Sequence, residues 1–305
     1  MMTRNVLRTL SLLAISCLML RAQDKVTDKC SGDAPFPFAD IAVSHPIDSS
    51  CGVEGGTKSQ TSELQNSVKN SFCSSNPDGK PKVITPQTLI TMQQKKSIPS
   101  GEGKEPSSRE QLKKWGEGEV VVMKAYLLEA HYADLASAKE IAAGKKGGET
   151  VNCNGNTTDE NDIHIALGPE PSTKECGSVT AEISPHFRPA SWDEIGNFET
   201  FNAQTAHYTP NPAIASRLQA HPYRITGQLF FDASHAPCPC GTAHCSPLRS
   251  SVWEIHPVYK IEVCRSGASC DVSNDADWMA FDTWWNSLTP PQPLAAPHTH
   301  EENPE

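Results

Sequence analysis

Three segments of the sequence carry an acidic residue two positions before a histidine, as Glu129 and His131, Asp162 and His164, and Glu254 and His256. Residues two apart on a β-strand point to the same face, so each pair would present a carboxylate and an imidazole together. Both groups are ligands of Zn²⁺ and of other divalent ions. If the strands are neighbours, the pairs predict a metal site formed by Asp162, His164, Glu254 and His256, with His131 at a strand end.

The alternative interpretation needs no metal. Each pair can lie on a solvated face, or under a covering segment, with its histidine bonded to a backbone carbonyl or to the neighbouring acid. The sequence therefore predicts no cofactor, with Zn²⁺ as the alternative.

A second group of potential ligands follows the fourth predicted strand. It consists of His235, Cys238, Cys240, His244 and Cys245. This density of cysteine and histidine is typical of zinc sites. Exported proteins, however, use closely spaced cysteines for disulfides, and that interpretation is favoured here.

The segments that hold the acid-histidine pairs alternate apolar and polar residues, as strands with one buried face do. Five strands are predicted, at residues 119–131, 162–167, 179–184, 223–232 and 252–264, with helix at 191–220 between the third and the fourth. The order β-β-β-α-β-β is that of an OB-fold, a five-stranded barrel. The predicted class is mainly β with α decorations (α+β), and a β-sandwich fits the same pattern less well.

In such a barrel, strands one and two are expected to be neighbours, and strand five is expected to return near strand one. A site shared by the second and fifth strands would then need a contribution from strand one, or a polar end of the barrel where all three meet. The third strand carries Thr180 and Glu182 on its polar face.

The rest of the chain divides around the barrel. Residues 1–22 are predicted to be a signal peptide, 23–116 an N-terminal coil and helical brace, 117–270 the barrel, 271–289 a C-terminal helix and 290–305 a disordered tail. Helices are expected at 61–72, from the Thr85-Pro86 start to about residue 96, and from residue 107 or 108 to Trp115. A short helix at 134–143 and an amphipathic helix at 275–288 complete the prediction.

The first residues have the pattern of a secretory leader. Arg4 and Arg8 precede an apolar run at 10–20, and Ala22 is a plausible cleavage point. No later apolar run reaches membrane length. We therefore expect a secreted or periplasmic protein without a transmembrane segment.

Cysteine usage agrees with export. Of 11 cysteines, all but Cys17 lie beyond the leader, and an even number in an exported chain predicts disulfides. The pairs Cys51–Cys73 and Cys153–Cys176 are favoured because each brackets a short unit. The cysteines from 238 to 270 are expected to pair mostly among themselves, with Cys30 reaching across to them.

Several motifs together carry a family resemblance. They are Cys51-Gly52, Gln65-Asn66 with Lys69-Asn70-Ser71-Phe72-Cys73, 161–167 (Asn-Asp-Ile-His-Ile-Ala-Leu), 226–232 (Thr-Gly-Gln-Leu-Phe-Phe-Asp) and 253–258 (Trp-Glu-Ile-His-Pro-Val). This set resembles a group of uncharacterised exported bacterial proteins, over most of residues 45–264. The resemblance implies an exported OB-like barrel and brings no activity with it.

OB barrels bind oligonucleotides and oligosaccharides on platforms of aromatic and basic side chains. Tyr126, Arg224 and Trp253 are the predicted ligand-binding residues, although the same aromatic side chains can instead belong to the core. The formal net charge of -10 argues against nucleic acid and favours an oligosaccharide or a protein partner.

The leading hypothesis is an exported, disulfide-stapled OB-like module that binds a ligand or partner without catalysis. The alternative is a metal-dependent hydrolase that uses His164, His256 and nearby acids. No nucleophile elbow, P-loop or dinucleotide fingerprint occurs, and the sequence assigns no catalytic residue.

Overall fold

Five of the seven strands among the described residues close into a barrel. The computed structural model describes residues 45–71, 74, 76–95, 108–133, 135–136, 138–144, 147–186, 188–189, 191–195, 212–239, 248–267 and 269–288. The strands are β1 (Lys82–Ile84), β2 (Val120–Tyr132), β3 (Ile163–Gly168), β4 (Val179–Ile183), β5 (Pro222–Phe231), β6 (Trp253–Cys264) and β7 (Trp278–Ala280). The chain is mainly β with a few helices, as predicted.

The barrel has the strand order of an OB-fold. Its strands follow one another as β2-β3-β4-β6-β5, and β5 returns to pair with β2. All of these pairs are antiparallel except β4 with β6, which is parallel. Each barrel strand begins and ends within one residue of its predicted bounds, because strict alternation fixes both the type and the phase of a strand.

One expectation about strand neighbours was wrong. We expected the last barrel strand to return near the first, but β6 pairs with β4 and β5, and β2 is closed by β5. The polar faces of β3 and β6 therefore meet across β4.

The barrel interior is the hydrophobic core. Apolar residues of the alternating strands are buried there, among them Ile163, Ile165, Leu229, Phe231 and Ile255. Alternation then sends the residues between them to the outer face of the barrel.

Short helices surround the barrel: α1 (Gln60–Lys69), α2 (Pro86–Gln93), α3 (Glu110–Lys114), α4 (Ala138–Ala142), α5 (Ser191–Ile195), α6 (Pro212–Gln219) and α7 (Phe281–Ser287). Thr85 caps α2 by accepting a hydrogen bond from Thr88 N at 3.2 Å, as its sequence predicts. The C-terminal helix is shorter than expected. Residues 275–277 form a 3₁₀ turn and β7 pairs with the end of β6, so α7 begins only at Phe281.

The disulfides differ from the favoured pairs. Cys51 is bonded to Cys153, Cys176 to Cys238, and Cys264 to Cys270, while Cys73 lies outside the described residues. The predictions of Cys51–Cys73 and Cys153–Cys176 were therefore wrong. The prediction assumed that cysteines pair within short units of sequence, but tertiary contacts bring distant segments together.

Two backbone hydrogen bonds show how those segments meet. Gly56 N donates to Thr150 O at 2.7 Å, which sets the region of Cys51 beside that of Cys153. Ser250 N donates to Ser178 O at 2.8 Å, and this contact brings the connection between β5 and β6 next to Cys176. The local pair Cys264–Cys270 agrees with the expectation for the last cluster.

A layer of chain outside the barrel buries part of its polar face. We call α1, with residues 45–59 before it and residues 147–156, the covering layer. Gln228 Nε2, on β5, donates to Val68 O of α1 at 2.7 Å, and Asn70 Nδ2 donates to Val151 O at 3.1 Å. These bonds tie the two parts of the covering layer to each other and to the barrel. None of the helices among the described residues has the length and apolar character needed to span a bilayer.

Candidate metal centre

The outer faces of neighbouring strands place ionisable side chains in one row. His131 of β2 is in register with His164 of β3, which is in register with Glu182 of β4. Ala181 of β4 lies beside Ile255 of β6, so the residues that follow them, Glu182 and His256, adjoin as well. The strand register thus brings together the two histidines that sequence analysis favoured.

Glu182 is the residue that joins those histidines. Its Oε1 lies 3.3 Å from His164 Nε2, and its Oε2 lies 2.6 Å from His256 Nδ1. Burial alone would raise the pKa of Glu182, but the charges of His164, Lys69 and His256 hold it well below its ordinary value. Glu182 therefore carries a negative charge under the covering layer.

Asp162 lies at the buried end of the same group. It is 0% exposed, neither of its carboxyl oxygens accepts a hydrogen bond from the described residues, and a hydrogen bond with Asp162 helps to lower the pKa of the neighbouring Glu149. Burial raises the pKa of Asp162 to about 8, against the lowering effect of His256. A buried carboxylate without a donor is costly to ionise, so a cation beside it would be strongly stabilised.

His256 is also incompletely satisfied. It is 0% exposed, and neither ring nitrogen makes a hydrogen bond of good geometry within the described part of the chain. Burial alone would lower the pKa of His256, but Glu182 and Glu254 raise it to about 10. The imidazole is thus drawn to negative charge, and at neutral pH a metal ion would have to displace its proton.

The covering layer contributes two further charges. Lys69, in the last turn of α1, places Nζ 3.6 Å from Glu182 Oε2 and 3.9 Å from Glu149 Oε2. Burial alone would lower the pKa of Lys69, but Glu149 and Glu182 raise it well above its ordinary value. The ammonium therefore stays charged although Lys69 is only 4% exposed.

Within the part of the chain that the structure describes, two sets of three residues have the spacing of metal ligands, and they share Glu182. One is Asp162, Glu182 and His256, which we call the inner triad; the other is Glu149, His164 and Glu182, which we call the outer triad. Within each triad the ligand atoms lie within 4.8 Å of one another. Small side-chain movements would bring either set to the bond lengths of a divalent ion, about 2.0–2.2 Å for nitrogen and oxygen on Zn²⁺.

Glu254, the remaining predicted ligand, is engaged elsewhere. Its Oε2 accepts a hydrogen bond from Arg249 Nη1 at 2.5 Å, while Oε1 lies 3.5 Å from His256 Nδ1. Arg249 also donates to Asp232, which in turn pairs with His235 at 2.5 Å. The centre thus borders a second buried group, Asp232, His235, Arg249 and Glu254, which we call the arginine cluster.

Solvent approaches the centre from the side of β2. A surface depression there is lined by Glu129, His131 and His164, with Glu175, Ser178 and Thr180. His131 Nδ1 lies 3.6 Å from Glu129 Oε1, and its ring meets that of His164 edge to face at 5.4 Å. The third acid-histidine pair therefore flanks the outer triad and contributes no atom to either triad.

The three predicted ligand-binding residues lie in different environments. Trp253 is 0% exposed inside the barrel, where it packs edge-on against Phe231. Arg224 is held by Glu262 at 2.6 Å and by Asp275 at 2.7 Å. Tyr126 is half-buried. These three side chains do not form one exposed stacking surface.

The cysteine-histidine loop is only partly described. Cys238 is in the disulfide with Cys176, and His235 is paired with Asp232. Cys240, His244 and Cys245 lie outside the described residues. The disulfide interpretation therefore holds for Cys238.

Sequence reasoning missed Glu182, Glu149 and Lys69 as members of the centre. Glu182 had a usable signal, because alternation on the third strand put it on the polar face. Glu149 and Lys69 belong to loop and helix, where no periodicity points at the barrel. Comparisons of the chain with family models, with curated proteins and with solved structures found no match.

Proposed function

We propose that this protein is an exported OB-like module that binds one divalent transition-metal ion at the inner triad of Asp162, Glu182 and His256. The observation that carries the proposal is Asp162, fully buried, with both carboxyl oxygens accepting no hydrogen bond from the described residues. Export is supported by the leader pattern at residues 1–22 and by the three disulfides among the described residues.

Lys69, Arg249 and the protonated His256 each lie in ion-pair contact with a carboxylate other than Asp162. Lys69 lies between Glu149 and Glu182, and Arg249 lies between Asp232 and Glu254. A divalent ion at the inner triad would neutralise Asp162 and Glu182 together, with His256 as its neutral nitrogen ligand. That charge balance favours a metal ion over a further organic cation, which would need more space than a buried triad offers.

The donor set favours Zn²⁺. One imidazole nitrogen with two carboxylates suits zinc, and Mn²⁺ is the competing ion because carboxylates also suit manganese. Mg²⁺ retains several waters when bound, and the three ligand residues are 0–2% exposed. We therefore expect zinc to bind in preference to magnesium.

Burial also favours binding over hydrolysis. A metal-dependent hydrolase needs an open coordination position that substrate can reach. The covering layer closes the inner triad, and the ion would hold the start of β3 to β4 and β6 beneath that layer. The ligand of this module is then the metal ion itself.

Zinc titration of the purified, disulfide-bonded full chain, with elemental analysis, tests the proposal. The wild-type protein should bind one Zn²⁺ per chain at neutral pH, whereas Asp162→Asn and His256→Ala should bind none. Asp159→Asn is the matched control, since it changes an exposed aspartate three residues earlier. Cys240→Ser should also keep the ion. The proposal fails if the wild-type chain binds no divalent ion, or if Cys240→Ser alone removes it.

A further inference from the structure

The outer triad is already occupied by a positive charge that belongs to the protein. Lys69 Nζ lies 3.9 Å from Glu149 Oε2 and 3.6 Å from Glu182 Oε2, which are two of the three outer ligand residues. We infer that the outer triad is a second divalent-metal site, and that the Lys69 ammonium fills it and keeps the centre at one ion. This inference rests on the proposed function for the inner ion and names a second site beside it.

The carboxylate of Glu182 is placed to serve two ions. Oε1 faces His164 of the outer triad at 3.3 Å, and Oε2 faces His256 of the inner triad at 2.6 Å. A carboxylate that offers one oxygen to each side is a bridging ligand, and two-metal sites hold their ions about 3.5–4 Å apart. The shared residue thus makes the two triads one potential dinuclear centre.

Unpartnered atoms mark the outer triad independently of its charge. His164 is 7% exposed, and its Nε2 makes no hydrogen bond of good geometry to any described residue. Glu149 Oε2 is likewise buried without a hydrogen-bond partner among them. These two atoms face the region that Lys69 shares with Glu182, so removing the ammonium leaves three ligand side chains and no cation.

Lys69 is held at this position by the helix that carries it. Asn66 Nδ2, one turn earlier, donates to Glu54 O at 3.0 Å, and Gln65 accepts from Arg109 Nη1 at 3.2 Å. The stem of Lys69 passes over Phe230, with Nζ 5.8 Å from the ring centre. Because α1 is held in place and Lys69 is only 4% exposed, the ammonium stays near these carboxylates, and like charges would oppose an ion beside it.

The number of ions bound per chain tests directly whether Lys69 keeps a second ion out of the outer triad. By zinc titration and elemental analysis of the full, oxidised chain, wild type should bind one Zn²⁺ and Lys69→Met should bind two. Lys69→Arg, which keeps the charge, should bind one. Lys58→Met removes an exposed lysine of the same covering layer and should also bind one. Adding His164→Ala to Lys69→Met should return the count to one.

A second measurement covers the case in which Lys69→Met does not fold, as judged by circular dichroism. Lys69→Gln is then used, together with wild type at high zinc. In wild type, a second ion should bind about a hundredfold more weakly than the first, and Glu149→Gln should abolish that weak binding.

The outcomes separate the two claims. One ion in wild type and only one in the folded Lys69 variants, with no weak second binding, overturns the second site and leaves the inner ion standing. No ion in either protein overturns both. No ion in wild type, but one in Lys69→Met that is lost with His164→Ala, overturns the inner site and supports the outer one.

Discussion

Asp162 and Asp232 are both 0% exposed on the outer side of the same barrel, yet their surroundings differ. Asp232 accepts from Arg249 and pairs with His235, so although burial alone would raise its pKa, these cations hold it well below the ordinary value. Asp162 has no such partner among the described residues, and burial raises its pKa to about 8.

This difference identifies Asp232 as part of a structural ion-pair cluster and Asp162 as a candidate metal ligand. Equal burial gives opposite pKa shifts, because His235 and Arg249 outweigh burial at Asp232, whereas His256 does not outweigh it at Asp162. The arginine cluster therefore holds its aspartate ionised, whereas the inner triad leaves Asp162 with a raised pKa. Substitutions in both groups test this contrast between Asp232 and Asp162.

Arg249→Met should be strongly destabilising, because it leaves Asp232 and Glu254 buried without their guanidinium. We expect a loss of about 3–5 kcal/mol in the free energy of unfolding, measured by urea denaturation at neutral pH with metal removed. Arg217→Met, at an exposed position of α6, should change stability by less than about 0.5 kcal/mol. A loss for Arg249→Met as small as the control would show that the cluster is not held by this residue.

Replacement by asparagine should reduce the free energy of unfolding more at position 232 than at position 162. Without metal, Asp232→Asn should cost about 2–3 kcal/mol, as it weakens hydrogen bonds to charged partners, and Asp162→Asn should cost less than about 1 kcal/mol. With zinc added, wild type and Asp232→Asn should gain stability and Asp162→Asn should not. Equal costs for the two variants in metal-free buffer would remove the contrast.

His235→Gln should show a pH-dependent cost. Burial alone would lower the pKa of His235, but Asp232 raises it above its ordinary value. The stability from this ion pair is therefore fully present below the unfolded pKa, about 6.5, and is lost as pH rises through the raised folded pKa. The variant should be less stable than wild type by about 1 kcal/mol at about pH 6, and this difference in stability should narrow as the pH rises through the raised pKa of folded His235. A gap that widens with pH would contradict the assignment.

The barrel was predictable because its signal is local. Segments such as 162–167 and 252–264 alternate strictly, and alternation fixes which side chains face the core. The two short strands β1 and β7 were missed, since three residues are too few to show a period. The disulfides were missed for a different reason: Cys51 and Cys153 are separated by 102 residues and meet only through the covering layer.

The centre was half predictable. Strand phase placed Asp162, His164 and His256 on the polar face, but the strand that joins them was assigned wrongly. The parallel pairing of β4 with β6 inserts Glu182 between the histidines. Glu254 belongs to neither triad and pairs at 2.5 Å with Arg249, which no strand pattern singles out.

The Cys51–Cys153 bond has a consequence for proteolysis. Between its two cysteines lies α4, and residues 141–144, which end the helix and follow it, are exposed. Such exposed segments are preferred sites of cleavage. A protease that cuts there leaves fragments still joined through the disulfide, so the nicked chain keeps its mass under oxidising conditions. On a gel the cut becomes visible only after reduction.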